Sequence, residues 1–113
     1  MREVTGLVML PPDAPETRAG LVLIEVRDVS LMDAPSVVIA EDRLEDVALE
    51  PGGAIPFSVE TPEVARNRSL ALRVHISLDG SGRVQTGDLL TTMNYPVPDR
   101  GTPPPMRVRV QVI

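Results

Sequence analysis

No cysteine, no lysine and no tryptophan occur in this chain, and Phe57 and Tyr95 are its only aromatic residues. Without cysteine there are no disulfide staples, no thiolate metal sites and no cysteine nucleophile. The compartment stays open, because cysteine-free chains occur on both sides of a membrane. Without lysine every basic charge is an arginine, and the balance is acidic, at a net charge of −5. Such a surface lacks the basic stripe that displaces counterions from nucleic acid, so no nucleic-acid partner is expected. An anionic membrane surface repels it as well. No run of about 18 apolar residues is present. Met1 is followed at once by Arg2, Glu3 and a strand-like pattern, with no apolar leader and no cleavage site, so the chain as given is expected to be soluble and unexported.

What remains is an aliphatic, valine-rich chain of 113 residues, enough for one domain spanning 1–113 and one core. Aromatic-poor, β-branched composition suits strands packed face to face. Strand-length runs separated by proline and glycine recur throughout, and no window carries a helical stripe. The run "REVTGLVML" closes at Pro11-Pro12, and "PPDAPETRAG" is a loop by composition. "LVLIEVRDVSL" ends in the turn "MDAP", and "SVVIAEDRLEDVAL" is expected as a strand although charges interrupt its alternation. In "AIPFSVE", Pro56 removes a backbone donor and predicts an edge or a bulge. "TPEVARNR" is expected to hold one helical turn, with Thr61 as N-cap, Pro62 at the first helical position and Glu63 in the first turn.

The clearest strand is "SLALRVHISL". Leu70, Leu72, Val74, Ile76 and Leu78 share one face, and Ala71, Arg73, His75 and Ser77 share the other, outward one. A strand is expected over Leu89–Tyr95. In "MRVRVQVI", Met106, Val108, Val110 and Val112 point inward against Arg107, Arg109 and Gln111. About seven strands with short turns predict an all-β fold, a two-sheet antiparallel β-sandwich, with a small closed barrel as the alternative.

Few residues invite chemistry. In "SLDGSGRVQTGD", Ser77, Asp79 and Ser81 fall at the first, third and fifth positions of a calcium loop, Gly82 at the sixth, Val84 at the eighth and Asp88 at the twelfth. A calcium loop wants aspartate first and a bidentate glutamate last, so Asp79, Ser81 and Asp88 are weak metal candidates and no metal or cofactor is expected. The alternative is a hairpin connection in which Gly80 and Gly82 supply positive φ and Asp79 and Ser81 bond to the backbone. His75, the single histidine, is expected on the solvated face beside Arg73, with no catalytic partner. Asn67-Arg68-Ser69 is a formal glycosylation sequon read as chance. Glu41, Asp42, Glu45 and Asp46 make the densest acidic cluster, read as a charged face or a guarded edge. Arg107 and Arg109 share one side of the last strand, able to meet such acids or an acidic partner. With no nucleophile–base constellation, phosphate-cradling glycine loop or metal cluster, the chain is not expected to be an enzyme.

The stretch "VRDVSLMDAPSVVIAE", Val26 to Glu41, resembles the signature of the YbaY/YscW-like lipoprotein family, in which a strand ends in a D-V-S-x-x-D-A-P turn and resumes with V-I-A-E. "IPFSVE", "RVHISLDGSGRV", "LLTTMNYPV" and the closing "MRVRVQVI" are similar to the family in order and spacing, so the resemblance covers nearly the whole chain. It implies a compact β-sandwich carried on periplasmic or outer-membrane lipoproteins of Gram-negative bacteria. Some members are pilotins that bind a secretin subunit of type III secretion. The signal peptide and lipidated cysteine of such lipoproteins are not in this chain, so membrane attachment is expected only through an anchor it does not contain, and a cytoplasmic relative is the other possibility. The leading functional expectation is a non-catalytic cell-envelope domain that binds an envelope protein or secretin-like peptide through a sheet edge or the groove between sheets. The alternative is a small-ligand or calcium-dependent module that uses the hairpin loops.

Overall fold

The computed structural model describes residues 1–31 and 33–113; Met32, inside the D-V-S-x-x-D-A-P turn, lies outside them. Eight strands carry the chain: β1 (Arg2–Met9), β2 (Arg18–Asp28), β3 (Val37–Ala48), β4 (Ala54–Thr61), β5 (Leu70–Ser77), β6 (Leu89–Thr91), β7 (Pro96–Val97) and β8 (Met106–Val112). The all-β expectation holds, and among the described residues there is no helix. The helical turn expected at Thr61–Glu63 does not form. Thr61 ends β4, buried and in register with Arg2, while Ala65 to Arg68 close a hydrogen-bonded turn. Strand pairing with β1 outweighs a local capping preference.

The strands pair in the order β3-β2-β5-β6-β8-β1-β4, with β7 lying against β5. One path of pairing therefore runs through all the major strands, where two separate sheets were expected, and the shape is that of a nearly closed barrel. A second departure is in direction. β8 runs parallel to β1 over Gly6–Met9 and Met106–Arg109, and antiparallel to β6 over Val110–Val112 and Leu89–Thr91. This one strand joins the β1–β4 pair to the rest of the sheet.

Alternation supplies the core. Val4 and Val8 of β1, Val22, Ile24 and Val26 of β2, Val74 and Ile76 of β5, and Val108 of β8 are all excluded from solvent. Burying an aliphatic side chain of this size contributes about 1.5–3 kcal/mol. β1 and β8 approach so closely that a Cβ at Gly6 would stand 2.0 Å from the Met106 carbonyl oxygen. The register of β2 and β3 slips at Val26/Arg27, leaving Ile39 without an opposite residue and free to pack on the core. Val112, expected inward, is partly exposed at the chain's last turn of alternation.

The two ends of the strand order are β3 and β4. Pro56 lies in β4, so its missing donor falls on an edge strand, as its sequence position predicts. A turn over Glu50–Gly53, with Gly52 at φ 71°, leads from β3 into β4. The two strands then approach one another, but no ladder joins them among the described residues. The acidic cluster Glu41, Asp42, Glu45 and Asp46 lies along the β3 edge. Asp42 is opposite Ile24, hence on the core-facing side of that edge, a placement that discourages indiscriminate pairing.

Candidate functional site

The 77–88 segment is a connection between the antiparallel strands β5 and β6. Gly80, Gly82 and Gly87 take positive φ, at 77°, 78° and 98°. Asp79 accepts from the Ser81 amide at 2.9 Å, from Gln85 Nε2 at 2.8 Å and from Ser77 Oγ at 3.2 Å. These bonds, the Ser81 amide first, pull its carboxyl down to a pKa of about 2. Asp88 turns the other way, into the protein, and accepts from the Leu78 and Gln85 amides, each at 3.1 Å. The two carboxylates therefore serve different donors, and Ser81 joins Asp79 only. Among the described residues no three of His, Cys, Asp and Glu gather where a cation would be held.

His75 is not on a solvated face. It is 1% exposed, and its Nε2 lies 2.8 Å from Asp88 Oδ2. A carboxylate only accepts, so Nε2 carries the proton. The alternation placed His75 correctly on the outer side of β5, but the 78–88 segment folds back over that side and buries Leu21, His75, Ser77 and Asp88 with it. The signal that was available is Asp88 itself, a carboxylate one residue before a strand that pairs beside the only histidine. The Ser77 hydroxyl, two residues along the strand, donates to Asp79 at 3.2 Å. The role of the His75–Asp88 pair is to fasten the segment to the sheet.

Further along the same outer side lies a second buried carboxylate, which sequence reasoning missed. Glu25 is 4% exposed and faces Arg73 across the β2–β5 ladder. Arg27 Nε donates to its Oε1 at 3.1 Å and Nη2 to its Oε2 at 3.3 Å, while Arg73 Nη1 donates to Oε1 at 3.1 Å. Arg27 Nη1 is taken by Ser36 Oγ at 2.7 Å. Two cations and one anion leave one positive charge here. The alternation E-x-R in β2 with an arginine two residues before His75 was the available signal.

Beside this network the sheet is interrupted. The strand expected over Leu89–Tyr95 breaks into β6 and β7, because Thr92–Asn94 bulge away from β5. Across the gap β5 is held by Thr91 Oγ1, which accepts from the Val74 amide at 3.3 Å, and by the Tyr95 carbonyl, which accepts from the Leu72 amide at 2.9 Å. The bulge opens a cleft of about 260 Å³ lined by Arg27, Arg73, Ser36, Thr91 and Asn94, with Val29 and Met93 at its rim.

Exposed aliphatic residues gather at this end: Leu31 is 68%, Met93 64% and Val37 62% exposed. Asp28 to Ser30, just before Leu31, are braced against the Arg68–Ser69 turn. Ser30 Oγ bonds Asp28 and accepts from the Ser69 amide, Val29 N donates to the Ser69 carbonyl at 2.8 Å, and Arg68 Nη1 reaches Asp28 at 3.0 Å. The Ser30 bonds hold the Asp28 carboxyl below its ordinary range. Arg68 and Ser69 of the formal sequon are thus part of a turn-to-turn clasp. Arg107 and Arg109 are exposed on β8, as expected.

No family model matches the chain, and no curated protein matches it. Among solved structures the chain is similar to an alternative pilotin from the type II secretion system of Vibrio cholerae, at 21% identity and a TM-score of 0.64, over 96% of each chain. The likeness establishes the fold from first strand to last.

Proposed function

We propose that this chain is a non-catalytic, pilotin-like interaction domain of the cell envelope, allied to the YbaY/YscW-like lipoproteins, that binds an extended segment of a secretin-type protein. The observation that carries this reading is the overlap of nearly the whole fold with a solved pilotin. The open edges support it: β3 and β4 end the strand order without pairing each other, and an extended segment adds to such an edge through its own backbone. The reading covers 1–113 as one domain. The buried His75–Asp88 pair fastens a hairpin and does no chemistry, and the 77–88 segment serves as a turn, with no metal at Asp79, Ser81 or Asp88.

The test is retention of an extended segment of a secretin-type protein from the same cells by the immobilised domain at low salt. Retention that survives washing supports the proposal; a segment that flows through unbound sinks it. Calcium titration in the millimolar range is expected to leave the amide signals of Gly80, Gly82 and Asp88 in place, and movement of all three would return the loop to the metal-binding class.

A further inference from the structure

Deepening the interaction-domain reading, and resting on it, the geometry points to the β5 cleft as the seat of an aspartate or glutamate side chain carried by an extended partner segment with aliphatic neighbours. The charge of the cleft selects the sign. Glu25 neutralises one of two arginines, in a molecule whose overall charge is −5. The two arginines are not equivalent. All three guanidinium nitrogens of Arg27 are engaged, by Glu25 and Ser36, so it acts as a buttress. Among the described residues only Nη1 of Arg73 is bonded within the protein. Its side chain keeps 31% of its exposure, on the cleft wall.

A guanidinium held by one edge and open along the other is preorganised for a carboxylate, which takes paired N–H donors. Thr91 and Asn94 stand across the cleft as further donors. The neighbours of that carboxylate are selected by the rim. Val29, whose amide donates to the Ser69 carbonyl, and Met93 of the bulge line the cleft with Arg73, so aliphatic side chains beside the acid meet apolar surface there.

Short random peptides displayed on phage and panned on the immobilised domain test this. The expected survivors carry an acidic residue beside aliphatic ones. Replacing that acid by its amide in a synthetic peptide, or Arg73→Gln in the protein, is expected to weaken binding about tenfold or more, the scale of a charge-assisted bond. The two changes together should cost little more than either alone. Arg73→Gln leaves Glu25 paired with Arg27, and a retained single cooperative unfolding transition verifies the fold; Arg73→Lys, which keeps charge without the fork, should bind between the two.

Survivors without an acid, or acidic survivors that bind Arg73→Gln equally well, overturn the cleft assignment while leaving the interaction-domain reading intact. Absence of any survivor, together with no retention of the secretin-type segment, removes both. Arg73-dependent binding to phosphatidylglycerol vesicles in place of peptides, or an Arg73-dependent dimer, would overturn it in favour of a lipid headgroup or a second copy of the chain.

Discussion

Three carboxylates that differ only in surroundings behave differently. Asp88 is buried and accepts from two amides and an imidazole, so Asp88→Ala strands the Leu78 and Gln85 amides and the His75 N–H together. A loss of about 3 kcal/mol is expected, read as a lowered urea midpoint. Glu25→Ala leaves two partly buried arginines facing each other and is expected to cost a similar amount, about 3 kcal/mol. Asp79 is exposed, and its effect is local. Its folded pKa, about 2, lies below the unfolded value near 3.8. The contribution of its ionised form is therefore complete above about pH 4 and disappears as pH falls towards 2. Exchange at the Ser81 backbone amide and the Gln85 side-chain amide, the two N–H groups that Asp79 accepts from, should quicken relative to their intrinsic rates across that window while the core amides stay protected.

At the scale of strands, the alternation of single residues read most of this fold correctly. β5 and β8 stand where "SLALRVHISL" and "MRVRVQVI" place them, and Pro56 marks an edge. What could not be read locally is whatever depends on a distant partner. Period two puts His75 on the outer side of a strand, but only the return of the chain at Asp88 decides that this side is covered. The same holds for the cleft. Nothing in "LLTTMNYPV" says that β5 will be bridged by a threonine hydroxyl in place of a strand, and nothing in "EVR" says that Glu25 will meet Arg73, 48 residues away. Parallel pairing of β1 and β8 is likewise invisible in either strand alone. It is nonetheless exacting: Gly6→Ala drives a methyl into the Met106 carbonyl, and a destabilisation of about 2 kcal/mol or more is expected, seen as a lowered melting temperature.

For the molecule as a whole, the charge is acidic along the β3 edge and positive in the β5 cleft, so the molecule presents two distinct surfaces. An extended segment that pairs with an edge has its specificity set by side chains that fit pockets. The core runs continuously from β1 to β8, and β8 holds together what would otherwise be two incomplete halves. Cooperative unfolding in one transition follows, and far-ultraviolet dichroism and the exposure of Tyr95 should report the same midpoint.

The central place of β8 also orders events in time. β1 leaves the ribosome before β8, in a chain that lengthens at roughly 5–20 residues per second. Until Met106–Val112 has emerged, β1 has β4 on one side and nothing on the other, and β6 is short of a neighbour. The barrel therefore cannot lock until β8 has followed β1 by about a hundred residues, and the nascent domain stays loose until then.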